Sequence, residues 1–286
     1  MVELHLRPEL AAMPLRQLRG SDLSGLYRDL LSNGRRRAGG GLSARTVRYL
    51  HTILNRAMAD AVRSGEIATN PAGTADPPSS HAARARIFPV WSPAELARFL
   101  KSAERDELYV AFRVAATTGL RRGEVLGLRW CDFDSTRQQL QIVQAVVEVA
   151  HEPHVTTPKT ERSRRLVALD AKTSQLLTQH RARVTAEHPD LHDHALVFAT
   201  KDQRPIHPAV FSYRFQRRVH LAGLPRIRLH DLRHTHATHA LRLGIHPKVV
   251  SERLGHSSVM TTLETYSHVV PSMQREAAEA IAALAE

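Results

Sequence analysis

The sequence predicts a mainly α-helical protein of two domains, the first all-helical and the second an α+β unit with a small antiparallel β-sheet. Three observations lead there. Apolar residues recur at helical spacing through about the first eighty residues and through most of the rest of the chain. Residues 70–87 (NPAGTADPPSSHAARARI) hold little to bury and several helix breakers, and so read as a linker between domains at 1–82 and 88–286. Residues 140–149 and 165–168 are rich in β-branched side chains, with the turn Thr156-Thr157-Pro158-Lys159-Thr160 between them, as antiparallel strands require.

Ser21 is placed to cap a helix in which Leu23, Leu26, Tyr27, Leu30 and Leu31 follow an i, i+3, i+4, i+7, i+8 pattern, and Gly34 can end it. After the turn at 35–41 (RRRAGGG) a second helix starts near Ser43. It turns Val47, Leu50, Leu54, Met58, Ala61 and Val62 inward, carries Arg45, Arg48, Arg56 and Arg63 on its polar side, and closes at Gly65. In the second domain Ser92-Pro93-Ala94-Glu95 has the form of a capping box, with Pro in the first turn, where its missing N–H costs nothing. A helix over 108–118 is interrupted by Gly119 and followed by a short one over 121–128. Helical patterns return at 171–184, 208–221, 231–243, 247–254 and 272–285. The last gathers Met273, Ala277, Ala280, Ile281 and Leu284 on one face and is expected to dock, on its own domain or on a neighbouring copy.

Composition narrows the partner. The 286 residues carry 40 Lys+Arg against 28 Asp+Glu, a formal charge of +12, and at 42% hydrophobic they suffice for a sizeable core. A polyanion is the expected ligand. Only five of the cations are lysines; the others are arginines, whose planar fork suits bidentate phosphate contact. The single cysteine, Cys131, cannot close an intramolecular disulfide, and no apolar run has the length of a membrane span. A stapled secreted domain, a membrane protein and a Cys-ligated zinc finger are thereby excluded. Arg35, Arg36 and Arg37 beside the glycine turn, with Arg45, Arg48, Arg56 and Arg122, are candidates for contact with a nucleic-acid backbone.

Four segments concentrate cationic and hydrogen-bonding side chains at element boundaries. They are Thr118-Gly119-Leu120-Arg121-Arg122-Gly123-Glu124, then Pro158-Lys159-Thr160, then His230-Asp231-Leu232-Arg233-His234. The fourth is Leu254-Gly255-His256-Ser257-Ser258, followed by Thr265-Tyr266-Ser267-His268. These residue types suit transesterification of a phosphodiester, which needs a nucleophile, a clamp on two non-bridging oxygens and an acid for the leaving oxygen. Arg121 and Arg233 are forked donors fit for the clamp. Tyr266 would form a phosphotyrosine that conserves the energy of the broken bond, so neither ATP nor another cofactor is expected. The histidines at 230, 234, 236 and 239 invite a metal reading, since residues four apart share a helix face. Against it, there is no His-Glu-x-x-His, no Cys partner, and Arg233 would set a positive charge beside the ion. No metal is expected, and Ala237, Ala240 and Leu241 also suit a plain buried helix.

In this order the segments resemble the tyrosine recombinase, or phage integrase, family. Its pattern has an Arg after a helix-breaking Gly, a Lys in a β-turn, His-x-x-Arg, a Leu-Gly-His turn and a nucleophilic Tyr soon after. The resemblance covers the chain from about residue 88, and the first domain is more weakly similar to the family's helical, SAM-like core-binding domain. It implies a site-specific DNA recombinase acting through a 3′-phosphotyrosine in DNA integration or excision, with two domains closing on duplex DNA as a clamp. By the resemblance, Lys159 protonates the departing 5′ oxygen, His230 assists proton transfer at the tyrosine, His256 hydrogen-bonds the scissile phosphate, and Arg121 rather than Arg122 is the clamp residue. Glu124, one helical turn beyond Arg121, could orient its guanidinium, while Asp231 and His234 are read as structural supports. A homotetramer on paired DNA sites, built by exchange of the C-terminal segment, is implied. So are accessory DNA-bending proteins and a place on the nucleoid of a bacterial cytoplasm. The opening His5-Leu6-Arg7-Pro8 is similar to the segment that follows the first core-binding helix, so the chain is expected to be shortened at its N-terminus. The competing reading is a relative that binds DNA without cutting it.

Overall fold

Helices begin where the sequence offers an oxygen to the free N–H groups of a first turn, and several boundaries of this chain follow from that alone. The computed structural model describes residues 2–35, 39–83, 88–157, 164–256, 258–266, 278 and 281–283. It divides into two units, Met1–Ile87 and Phe88–Glu286.

In the first unit a π-helical turn at Val2–Leu6 leads into α1 (Arg7–Leu10). Helix α2 (Gly20–Asn33) is capped at Arg19, two residues before the expected Ser21 cap, because the Asp22 carboxylate accepts the Arg19 N–H at 2.8 Å and closes the first turn. Helix α3 (Ala44–Arg63) starts where expected, with Ser43 Oγ accepting the Thr46 N–H. Leu23, Leu26, Tyr27 and Leu30 of α2 pack with Val47, Leu50, Leu54 and Met58 of α3 into one apolar cluster.

The second unit opens with α4 (Pro93–Ala103). Its Ser92–Glu95 capping box is complete, the Ser92 N–H reaching Glu95 Oε2 at 2.7 Å. Helix α5 (Tyr109–Thr118) ends at Gly119, and α6 (Arg122–Leu126) follows. The core is aromatic at its centre. Phe99 lies 5.1 Å from Phe215 between ring centroids, and Phe112 stacks 5.1 Å from Phe211. Phe112 is fully buried, so Phe112→Ala is expected to lower the stability of this unit by about 3–5 kcal/mol. Urea unfolding followed by tryptophan fluorescence would measure it, since Trp91 and Trp130 are both buried here.

The strands are β1 (Phe133–Asp134), β2 (Gln139–Ile142), β3 (Ala145–Val149), β4 (Glu152–Thr156) and β5 (Arg165–Ala168). All pairings are antiparallel. One sheet has the order β1-β2-β5, with Leu140 opposite Val167, and β3-β4 form a separate hairpin. The β-branched stretch 140–149 is therefore two strands in two sheets rather than one. The break falls where Gln144 donates Nε2 to the Gly127 carbonyl at 2.8 Å and the backbone of Ala145 passes so close that a Cβ on Gly127 would lie 2.8 Å from its Cα.

Helix α7 (Ala171–Glu187) is capped by Asp170, and α8 (Pro208–Leu221) contributes Phe211 and Phe215 to the core. Helices α9 (Asp231–Arg242), α10 (Pro247–Leu254) and α11 (Val259–Tyr266) share a small core of Ala237, Ala240, Leu241, Val250, Leu254 and Tyr266. The helix expected over 272–285 lies outside the described residues apart from 278 and 281–283. Among the described residues no helix is long and apolar enough to cross a membrane.

Candidate active site

Two glycine turns set the geometry. Gly119 (φ 69°) ends α5, and a Cβ there would lie 2.7 Å from the Leu254 side chain and 2.8 Å from the His236 ring. Gly255 (φ 66°) ends α10 in the same left-handed conformation. Their close approach brings the start of α6, the first turns of α9 and the loop after α10 to one place.

Arg121 caps α6. Its backbone N–H meets Glu124 Oε2 at 2.8 Å, Nη1 meets Oε1 at 2.9 Å, and Nη2 donates to the Gly255 carbonyl at 3.1 Å. Burial opposes the charge of Glu124, but hydrogen bonds and the charges of Arg165 and Arg121 outweigh it and hold the carboxyl below its ordinary value. Arg165 was not anticipated from the sequence. Its fork grips both Glu124 oxygens, at 3.0 and 2.9 Å. The one signal available was a charged residue opening an otherwise apolar strand just beyond the Lys159 turn.

Arg233 is 4% exposed and lies on main chain, with Nη1 donating to the Gly119 carbonyl at 2.9 Å and Nη2 to the Leu254 carbonyl at 2.8 Å. Burial, reinforced by the neighbouring Arg121 charge, brings its pKa down to about 10. At neutral pH it stays a cation.

Tyr266 ends α11 and is 1% exposed. Its hydroxyl lies 2.8 Å from His234 Nδ1. Burial pushes the tyrosine up to about 12, while burial and the nearby His230 take His234 down to about 4. A protonated phenol thus shares a hydrogen bond with a neutral imidazole. One face of the His234 ring stacks on Phe88 at 3.9 Å and 6°. His234, expected as a structural support, is the histidine in direct contact with the candidate nucleophile. His230 sits at the head of α9, edge-on to His234 at 5.1 Å, its pKa lowered by desolvation and by Arg233. Asp231 is occupied by Arg228, accepting its backbone N–H at 2.7 Å and Nη2 at 2.9 Å. His256 follows the Gly255 turn, hydrogen-bonds Thr262 Oγ1 at 2.8 Å, and is brought to about 4 by burial and by Arg233 and Arg121.

The structure therefore brings together Arg121, Glu124, Arg233, His234, His256 and Tyr266, with His230 at the rim of a cleft of about 850 Å³ beside the β3–β4 hairpin. Lys159 lies outside the described residues, as do Arg36 and Arg37. Arg122 is turned to α8, donating to the Pro208 carbonyl and to Ser212 Oγ. In the first unit Arg35, Arg45 and Arg56 are exposed and Arg48 is held by the Pro78 carbonyl at 2.7 Å. The four histidines of the α9 region do not converge: His239 bonds the Trp91 carbonyl and His234 bonds Tyr266. Among the described residues no group of three or more His, Cys, Asp or Glu could hold a metal ion.

His234, His236 and His256 each titrate near 4 in the fold against about 6.5 when unfolded. The unfolded chain thus binds protons first as pH falls. Stability is full above about pH 6.5 and declines from there toward pH 4, each histidine contributing at most about 1.4 kcal/mol per pH unit. Urea midpoints taken from pH 7.5 to 5 should fall accordingly, and a flat profile would show these rings to be solvated.

The phage integrase family model matches residues 91–273. Over 245 residues the chain is 31% identical to the ICEBs1 integrase of Bacillus subtilis, a match covering 84% of this chain and 66% of that protein. Against the tyrosine recombinase XerC of Mycobacterium bovis it is 30% identical over 269 residues, covering 90% of this chain and 84% of the other. The chain spans about two thirds of the length of the Bacillus protein. Among solved structures, the Tn1549 transposon integrase in complex with transposon right end DNA shares the fold, with a TM-score of 0.75 at 21% identity over 94% of this chain and 88% of that one.

Proposed function

The chain belongs to the phage integrase family of tyrosine recombinases, and from that premise we propose that it is a site-specific DNA recombinase that breaks and rejoins strands through Tyr266. The observation that carries the reading is the seat of Arg233 and Arg121. Both guanidiniums rest on main-chain carbonyls of the two glycine turns, the Arg233 charge acts on the Tyr266 hydroxyl, and Glu124 is the carboxylate bonded to Arg121. Such a site has an excess of positive charge and calls for an anion.

In the reaction the Tyr266 oxygen attacks phosphorus and the bond from phosphorus to the 5′ oxygen breaks, leaving a 3′-phosphotyrosine and a free 5′ hydroxyl. The Tyr266 hydroxyl is hydrogen-bonded to His234 Nδ1, which in the Nε2–H tautomer would take the phenolic proton. The leaving oxygen takes a proton, for which the resemblance nominates Lys159. Arg121 and Arg233 balance the charge that grows on the non-bridging oxygens, and His256 is placed beside them to hydrogen-bond the same phosphate. Attack by a 5′ hydroxyl from another strand reverses the sequence and makes the joint.

Duplex DNA is the proposed substrate, bound mainly through phosphate contacts, so affinity should fall steeply with salt. A tetramer on paired sites and accessory bending proteins belong to the same proposal. The test is to incubate the chain with supercoiled plasmid in excess chelator, quench with detergent and look for protein covalently joined to DNA. An adduct that survives chelation supports the reading. DNA binding in low salt without any adduct, on plasmid or on cloned candidate ends, favours a relative that binds and does not cut.

A further inference from the structure

Glu124 poses a difficulty for a site that must hold a phosphate. Its side chain is 9% exposed and it engages Arg121 through both the backbone N–H and Nη1. Left as a pair, a buried carboxylate and a guanidinium in contact cancel each other, and the arginine has little charge to offer a third group.

A second guanidinium changes the balance. Arg165, on β5 with its side chain 8% exposed, donates Nη1 to Glu124 Oε1 and Nη2 to Oε2. Its Nε donates to the Arg253 carbonyl at 2.9 Å. Each nitrogen of the Arg165 fork thus has a protein acceptor, and each Glu124 oxygen accepts one bond from Arg121 and one from Arg165. Among the described side chains Arg121, Arg165, Arg233 and Glu124, two positive charges remain uncompensated.

We infer that Arg165 is a positioning residue that neutralises Glu124, so that Glu124 orients the Arg121 guanidinium without cancelling its charge toward the phosphate. The inference rests on the transesterification reading and deepens it. Arg165 acts through Arg121 and does not itself reach the phosphorus. A lysine would supply the charge but not the two-pronged grip.

The alternative is that Arg165 merely braces β5 against α6 and α10, and the charge of the substrate separates the two. Covalent adducts trapped by the wild-type chain from a randomised duplex library identify a cleavable sequence. That duplex is then made with either an ordinary phosphodiester or an uncharged methylphosphonate at the scissile position. Arg165→Met is expected to slow single-turnover adduct formation on the phosphodiester by about a hundredfold or more, the scale of losing an oxyanion donor. On the methylphosphonate, where no charge needs balancing, it should stay within about fivefold of wild type. Adding Glu124→Gln to Arg165→Met should restore at least about tenfold on the phosphodiester, because Arg121 then has nothing to cancel it.

Equal losses on both substrates, no recovery in the double variant, or a wild-type rate for Arg165→Met would each overturn the inference. Should Arg165→Met fail to fold, Arg165→Lys takes its place, with a partial loss expected on the phosphodiester alone and the same loss on both substrates as the contrary result. If the wild type yields no adduct from any sequence, the transesterification reading is what fails. The charge argument is then decided by thermal protection with inorganic phosphate, expected in the wild type and lost in Arg165→Met; equal protection would overturn it.

Discussion

Tyr266→Phe is expected to bind DNA as the wild type does and to form no covalent adduct at all. The phenylalanine ring fills the same buried space at the end of α11, so the small core with Ala237, Val250 and Leu254 is kept. Only the oxygen is lost, and with it the attack on phosphorus. The change also strips His234 Nδ1 of its partner, and a buried polar group left without a hydrogen bond costs about 1–3 kcal/mol. A modestly lower urea midpoint should therefore accompany complete loss of the detergent-resistant band. An adduct that persists in the variant would move the nucleophile elsewhere.

Arg233→Ala is expected to reduce the rate of adduct formation by at least about a hundredfold, measured with DNA saturating so that binding does not enter. The size follows from how the side chain is held. Its two terminal nitrogens are fixed on separate carbonyls, and the group stays charged at neutral pH despite its burial. Arg233→Lys should fail nearly as badly, since one ammonium cannot occupy both seats and present a fork to the phosphate. DNA affinity should change far less than rate, because binding to duplex DNA is proposed to sum many phosphate contacts, of which this is one. A near-wild-type rate for Arg233→Ala would remove it from the chemistry.

Much of this site was legible because its parts lie at the ends of elements, where local rules are strong. Gly119 and Gly255 announce turns, Arg121, Arg233 and His256 each follow closely on a turn or a helix start, and Tyr266 ends a short helix. The Ser43 and Ser92 caps were readable for the same reason. The illegible parts depend on contacts between segments distant in sequence. Arg165 and Glu124 are 41 residues apart and His234 and Tyr266 are 32 apart, so their pairing is settled by how β5, α6, α9 and α11 pack. Likewise the β-branched run at 140–149 satisfies strand propensity throughout, and only the close pass of Ala145 over Gly127 divides it. At α2 the expected Ser21 cap gave way to a start at Arg19, whose N–H the Asp22 carboxylate accepts.

The carbonyl seats of Arg233 and Arg121 bear on mutational tolerance. Every amino acid carries a backbone carbonyl, so replacing Leu254 alters packing without deleting the oxygen that Arg233 uses. Robustness is confined to one side of the ledger, however. At Gly119 any side chain meets Leu254 and His236, and at Gly255 any side chain meets the Arg165 guanidinium at 2.8 Å, both in backbone conformations that suit glycine. A library randomised across these turns should therefore recover active clones with varied residues at 120 and 254 and glycine alone at 119 and 255.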